Sequence, residues 1–182
     1  MIEVEKAILH TKKWITDVVI GCNFCPFAAK EVRKNAVYYS VENTDDMEEA
    51  MQSFLHQCIY LDEHEDISTS LLIFPNSFHN FDDFLDLVAL AEILLKRKKY
   101  EGVYQVASFH PWYLFAGAPI DDAANFTNRS PYPMLHLLRE DMVEEVLQKY
   151  PNPENIPENN ILFSREKGHD YMEKLRLACM AN

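Results

Sequence analysis

Five side chains in this sequence have the types that chemistry needs: Cys25, His110, Arg129, His136 and Arg139. A cysteine at a helix start can serve as a nucleophile or a metal ligand. Histidines move protons near neutral pH. Arginines grip carboxylates and phosphates through a planar fork. Three of the five fall in one run, NRSPYPMLHLLRE, from Asn128 to Glu140. The run reads as the mouth of a helix, with Ser130 as N-cap and Pro131 as its first residue. Its prolines remove backbone donors, so an anion bound there would depend on Arg129, with Asn128 and Ser130 beside it. At 100° per residue Arg139 borders the apolar stripe of Leu135, Leu138, Met142 and Val146. A guanidinium in that position needs a carboxylate, a carbonyl or a ligand. His136 and Glu140, four apart, would share a flank.

Other patterns carry plainer alternatives. Cys22 and Cys25 form a CxxC that would suit a redox dithiol or half of a zinc site. The second zinc pair would have to come from the scattered His110 and His136. Both cysteines also read as small buried hydrophobes. His110 ends an expected strand, where ligands of open α/β sheets gather; it equally reads as a histidine bonded to loop backbone. Asp121 and Asp122 could hold a hard cation or cap a turn. No metal site is assigned from these patterns.

The elements that must position these groups follow from periodicity. Val4 to Val19 keeps a helical rhythm that ends near Gly21, and a short helix follows from Pro26 to Lys34. Strands are expected at Ala36–Val41, Ser70–Phe74 and Val103–Phe109. Helices are expected from Thr44 through Cys58 and from Phe81 to Lys98. The alternation favours parallel pairing or a split β-α-β arrangement. A long irregular stretch spans Pro111 to Ser130, and loops of that length are usually functional or disordered. A helix is expected over Met134–Lys149. Residues 151–160 form a connector to a C-terminal helical segment, 161–182, in which Tyr171 to Met180 packs back. The fold class expected is a single α/β (or α+β) domain over residues 1–182, with a small three- to four-stranded sheet and crossover helices.

Composition narrows the partners. The formal net charge of −12 repels a polyphosphate backbone, which argues against nucleic acid. The one basic run, Lys96 to Lys99, falls where a helix C-terminus favours cations. No apolar run reaches the length of a membrane span, and the amphipathic N-terminus lacks a signal peptide's apolar core. A cytoplasmic protein with mostly reduced cysteines is expected. With four glycines and no GxGxxG or GxxxxGK[ST], a glycine-rich nucleotide loop is absent. No motif names a cofactor or an oligomeric state.

The segments VIGCNFCPFA, FHPWYLFAG and DDAANFTNRSPYPMLHLLRE, in that order, resemble a bacterial family of uncharacterised proteins, the domain of unknown function 1415 family. Its pattern has leucine where Cys22 stands here, which leaves Cys25 as the cysteine of interest. The resemblance implies no activity. Two readings follow. One is an enzyme on a small anionic metabolite, with Arg129 and Arg139 holding the anion, His110 or His136 moving a proton, and Cys25 as nucleophile or ligand. The other is a non-catalytic module that binds a small ligand or a protein, with the same residues in a structural polar network. Convergence of Cys25, His110 and Arg139 on one cleft would favour the first. Sealing of Arg139 against carbonyls would favour the second.

Overall fold

The computed structural model describes residues 1–181. Helix α1 (Val4–Trp14) runs without interruption into a π-helical turn, Ile15–Ile20. The turn closes with a bond from the Gly21 amide to the Thr16 carbonyl, 3.0 Å. Gly21 has an ordinary helical φ of −61°. What requires glycine there is space: a β-carbon would stand 2.2 Å from the Asp17 carbonyl oxygen. Gly21→Ala should therefore lower stability by about 1–3 kcal/mol, read as a lower urea midpoint.

The chain continues as α2 (Ala28–Arg33), β1 (Val37–Val41), α3 (Met47–Glu63), β2 (Thr69–Ile73), α4 (Phe81–Arg97) and β3 (Tyr104–Phe109). Asp46 caps α3 by accepting from the Glu48 and Glu49 amides, and Asn80 caps α4 in the same way. The sheet is completed by β4 (Met134–Arg139) in the order β1-β2-β4-β3. β1 and β2 are parallel, and β4 runs antiparallel to both its neighbours. The β2-α4-β3 unit is thus split by β4, one of the two arrangements the alternation of elements favours. Helices α3 and α4 cover one sheet face through Phe54, Leu61, Phe84 and Leu87, against Leu72, Leu135 and Leu137. The other face carries α1, the π turn and the C-terminal helices, around Trp14, Leu71, Ile73, Phe126 and Met134.

The expected helix over Met134–Lys149 is corrected: its first six residues are β4, and only Glu140–Lys149 is helical, as α5. The physical reason lies in MLHLLR. Leucine and methionine favour helices, and an apolar run of this length suits a buried strand as well. A strand covered on both faces shows no alternation to reveal it. Pro131 and Pro133 hold the preceding residues extended, which feeds a strand. Ser130 consequently caps no helix; its hydroxyl donates to the Tyr132 carbonyl, 2.6 Å.

The C-terminal region is also more regular than expected. Helix α6 spans Ile156–Lys167, beginning inside the expected connector, and α7 spans His169–Ala178. Asn160 of α6 donates to the Phe24 carbonyl, 2.8 Å, and Arg165 pairs with Asp122 at 2.7 Å. These contacts tie the C-terminal helices to the rest of the fold.

Candidate functional site

On the α1 side of the sheet, side chains fall into rows set by strand register. Leu71, His136 and Ala107 are direct partners across β2, β4 and β3, and Thr69, Leu138 and Gln105 form the next row. β4 is internal, so His136 stands near the middle of the sheet. Its partner on β3 is the small Ala107, and the space this leaves opens a cavity of about 340 Å³. The roof comes from Trp14, Ile15 and Val19, from Cys25, Phe27 and Val32, and from Met142, Val143 and Val146 of α5. None of the residues of α5 is fully buried, so this apolar stripe faces the cavity instead of a packed core.

Polar groups in the cavity are few. The Thr69 hydroxyl lies 2.7 Å from His136 Nε2 and 2.5 Å from the Leu137 carbonyl. A hydroxyl has one proton, and the carbonyl can only accept. Thr69 therefore donates to Leu137, and His136 Nε2–H donates to Thr69. The ring is the Nε2–H tautomer, and its Nδ1 lone pair has no partner among the described residues. Burial holds this ring neutral, pushing its pKa down to about 4. Glu31 accepts from the Ser68 hydroxyl at 2.6 Å and lies 3.8 Å from Lys34. Cys25 lines the cavity, and its sulfur makes no hydrogen bond among the described residues.

Arg139 also lines the cavity, but its guanidinium is already engaged. Nε donates to the Ile67 carbonyl at 3.1 Å, and Nη2 donates to Leu61 and His64 at 2.6 and 3.1 Å. Nη1 reaches the Tyr104 hydroxyl at 3.3 Å. The group caps the C-terminal end of α3, satisfying carbonyls that a helix end leaves orphaned. Tyr104 in turn donates to Asp62, 2.7 Å, as does Tyr100 at 2.5 Å.

The remaining sequence candidates lie elsewhere. His110 is fully buried against Phe81 and Phe84 on the α4 side. Its Nδ1 accepts from the Trp112 amide and its Nε2 donates to the Phe78 carbonyl, both 3.0 Å. Burial lowers its pKa to about 4. Phe78 has a left-handed φ of 53°, so the ring braces a strained corner. Arg129 donates to Tyr113 and Ile120 carbonyls at 3.1 and 2.9 Å and stacks 4.7 Å from the centre of the Phe126 ring. Asn128 donates to Ser108 at 3.4 Å. Together with Asn125, which bonds Phe115 and Pro119 at 3.0 Å each, these residues buckle the long irregular stretch into a fixed shape. Glu140 opens α5, its amide donating to Val103 at 3.0 Å. Asp122 caps the short 3-10 turn Ala123–Thr127. No group of three or more His, Cys, Asp or Glu residues arranged to hold a metal occurs among the described residues.

The structure thus brings Cys25, His136 and Arg139 to one cavity and leaves His110, Asn128, Arg129 and Ser130 outside it. Thr69, Ala107 and Gln105 belong to the site and carry no motif. They become legible once Met134–Arg139 is read as a strand, because register then aligns them with His136. A family model described as Protein of unknown function (DUF1415) matches residues 6–174. No significant match occurs among curated proteins or among solved structures.

Proposed function

The chain belongs to that family of unknown function, and we propose that it is a binding protein for a small, largely apolar molecule held in the cavity beneath α5. The observation that carries this reading is the cavity lining: a largely apolar wall in which His136 Nδ1, the Gln105 amide and the Cys25 thiol have no hydrogen-bond partner among the described residues. The reading of an enzyme on an anionic metabolite finds less support. The one arginine at the cavity spends its fork on backbone carbonyls, and Glu31 adds negative charge. Cys25 and His136 share no hydrogen bond, so no base stands ready to activate the thiol.

Filling the cavity tests the proposal. Ala107→Phe places a ring beside His136, where the row leaves room. Neutral apolar compounds should raise the melting midpoint of the wild type and leave this variant unmoved. At a hundred times Kd the stabilisation is about 2.7 kcal/mol, a rise of roughly 5–10 °C for a chain of this length. A panel in which no neutral compound separates the two proteins, or in which anions do, would refute the binding site as described.

A further inference from the structure

Resting on the cavity as a ligand site, we infer that the molecule it takes is an uncharged alcohol or phenol, its hydroxyl donating to His136 Nδ1 and its apolar body lying under α5. Three observations lead there. First, the Thr69 hydroxyl is committed to Leu137, which fixes His136 as the Nε2–H tautomer and leaves Nδ1 a bare acceptor on a ring that lines the cavity. An acceptor in an apolar wall selects ligands that carry a donor and disfavours those that carry only acceptors. A carbonyl or ether oxygen aimed at Nδ1 would set lone pair against lone pair.

Second, the cavity has no cation to spare. Arg139 gives two N–H bonds to carbonyls at the end of α3, one to the Ile67 carbonyl before β2 and one to Tyr104. Protonating His136 would supply a positive charge, but the ring sits in surroundings that hold it neutral. A carboxylate or phosphate would lose its hydration and find no charged partner. A cation fares little better, since Glu31 is already bound to Ser68 and lies near Lys34. A neutral ligand remains.

Third, a hydroxyl needs a donor as well as an acceptor when buried. Gln105 is in the row next to His136, lines the same cavity, is exposed, and makes no side-chain hydrogen bond among the described residues. Its amide can donate to the hydroxyl oxygen while that hydroxyl donates to Nδ1. Alcohols and phenols use both functions; simple hydrocarbons use neither. Met142, Val143 and Val146 of α5 would cover the apolar part.

Three probes of equal or nearly equal size separate these possibilities: 1-octanol, its isomer 1-methoxyheptane, and octanoate. Each is titrated at pH 7 into the full chain, followed by NMR, with the wild type beside His136→Phe. The expected result is that octanol binds the wild type at least ten-fold tighter than the ether, and octanoate binds weakest. In His136→Phe the octanol advantage should vanish while ether binding persists. Octanol and ether binding alike, or octanoate binding tightest, would overturn the hydroxyl assignment and leave the cavity as a binding site. Absence of binding by all three would overturn both. The nitrogen shifts of His136 in the unliganded wild type give a check that needs no variant: a proton on Nδ1 would contradict the tautomer on which the selection depends.

Discussion

Replacing Arg139 by methionine should cost about 2–4 kcal/mol of stability, a fall in melting midpoint of roughly 5–15 °C for a chain of this size. The loss comes from what the guanidinium leaves behind. Leu61, His64 and Ile67 each direct a carbonyl at it, and Tyr104 adds a hydroxyl. Methionine restores the bulk of the stem but none of the donors, so the carbonyls at the end of α3 must find water or stay unpaired. Arg139→Lys keeps the charge and should recover only part of the loss, because one ammonium cannot span three carbonyls with the geometry of a fork. Calorimetric melting of the three proteins measures this directly. A residue that served mainly to hold a ligand anion would behave in the opposite way, with its substitution sparing stability and abolishing binding. Stability equal to wild type in Arg139→Met would show that the cap contributes nothing.

Acidification should destabilise the fold in a window from about pH 6.5 down to about pH 4. His110 and His136 are each held neutral by burial, with pKa values near 4 against 6.5 for a free imidazole. Between those values the unfolded chain binds more protons than the folded one, so stability falls as pH falls. The contribution is fully present above pH 6.5 and gone below pH 4. One group shifted this far is worth about 3 kcal/mol; the two act with the same sign, and His10, also lowered by burial, adds to them. Asp122, held near 2 by the Arg165 guanidinium, titrates below this window and does not confuse it. Glutamine offers one donor and one acceptor without titrating. At position 110 it can serve both Phe78 and Trp112, and at 136 it can still donate to Thr69. Urea midpoints for the double variant His110→Gln, His136→Gln should change much less between pH 7 and pH 4.5 than those of the wild type. Parallel pH profiles would show that these rings are not buried as neutral tautomers.

Most elements were legible from the sequence because their residues agreed at several levels. Asp46 and Asn80 sit where caps belong, and the stripes of α3 and α4 repeat at helical spacing. The strands around Leu71 and Val106 were readable from their β-branched, aromatic and apolar runs. β4 was not, since helix-favouring leucines form a strand only when other strands flank them. Reading Met134–Arg139 as helix instead of strand displaces the site. On a helix, His136 and Glu140 share a flank; on a strand followed directly by a helix, His136 belongs with Leu71 and Ala107. The motif residues His110, Arg129 and Asn128 drew attention because their types suit catalysis. Apart from the Trp112 amide beside His110, their backbone partners are carbonyls nine or more residues away, which no local pattern discloses. Thr69 stood one residue outside the expected strand, and its effect on His136 requires the pairing of strands separated by more than sixty positions.

The position of β4 has a consequence for how the chain acquires its shape. The strand that joins the two halves of the sheet is the last to be synthesised. A nascent chain that has emerged only as far as Phe109 has β1 and β2 able to pair, but β3 has no neighbour to pair with. Both ladders that bind β3 into the sheet wait for Met134–Arg139, and Arg139 must arrive before the end of α3 receives its cap. Docking of an internal strand across a long intervening segment is slow compared with closing a hairpin. Until it occurs, the edges of β2 and β3 stay open to pairing with other chains.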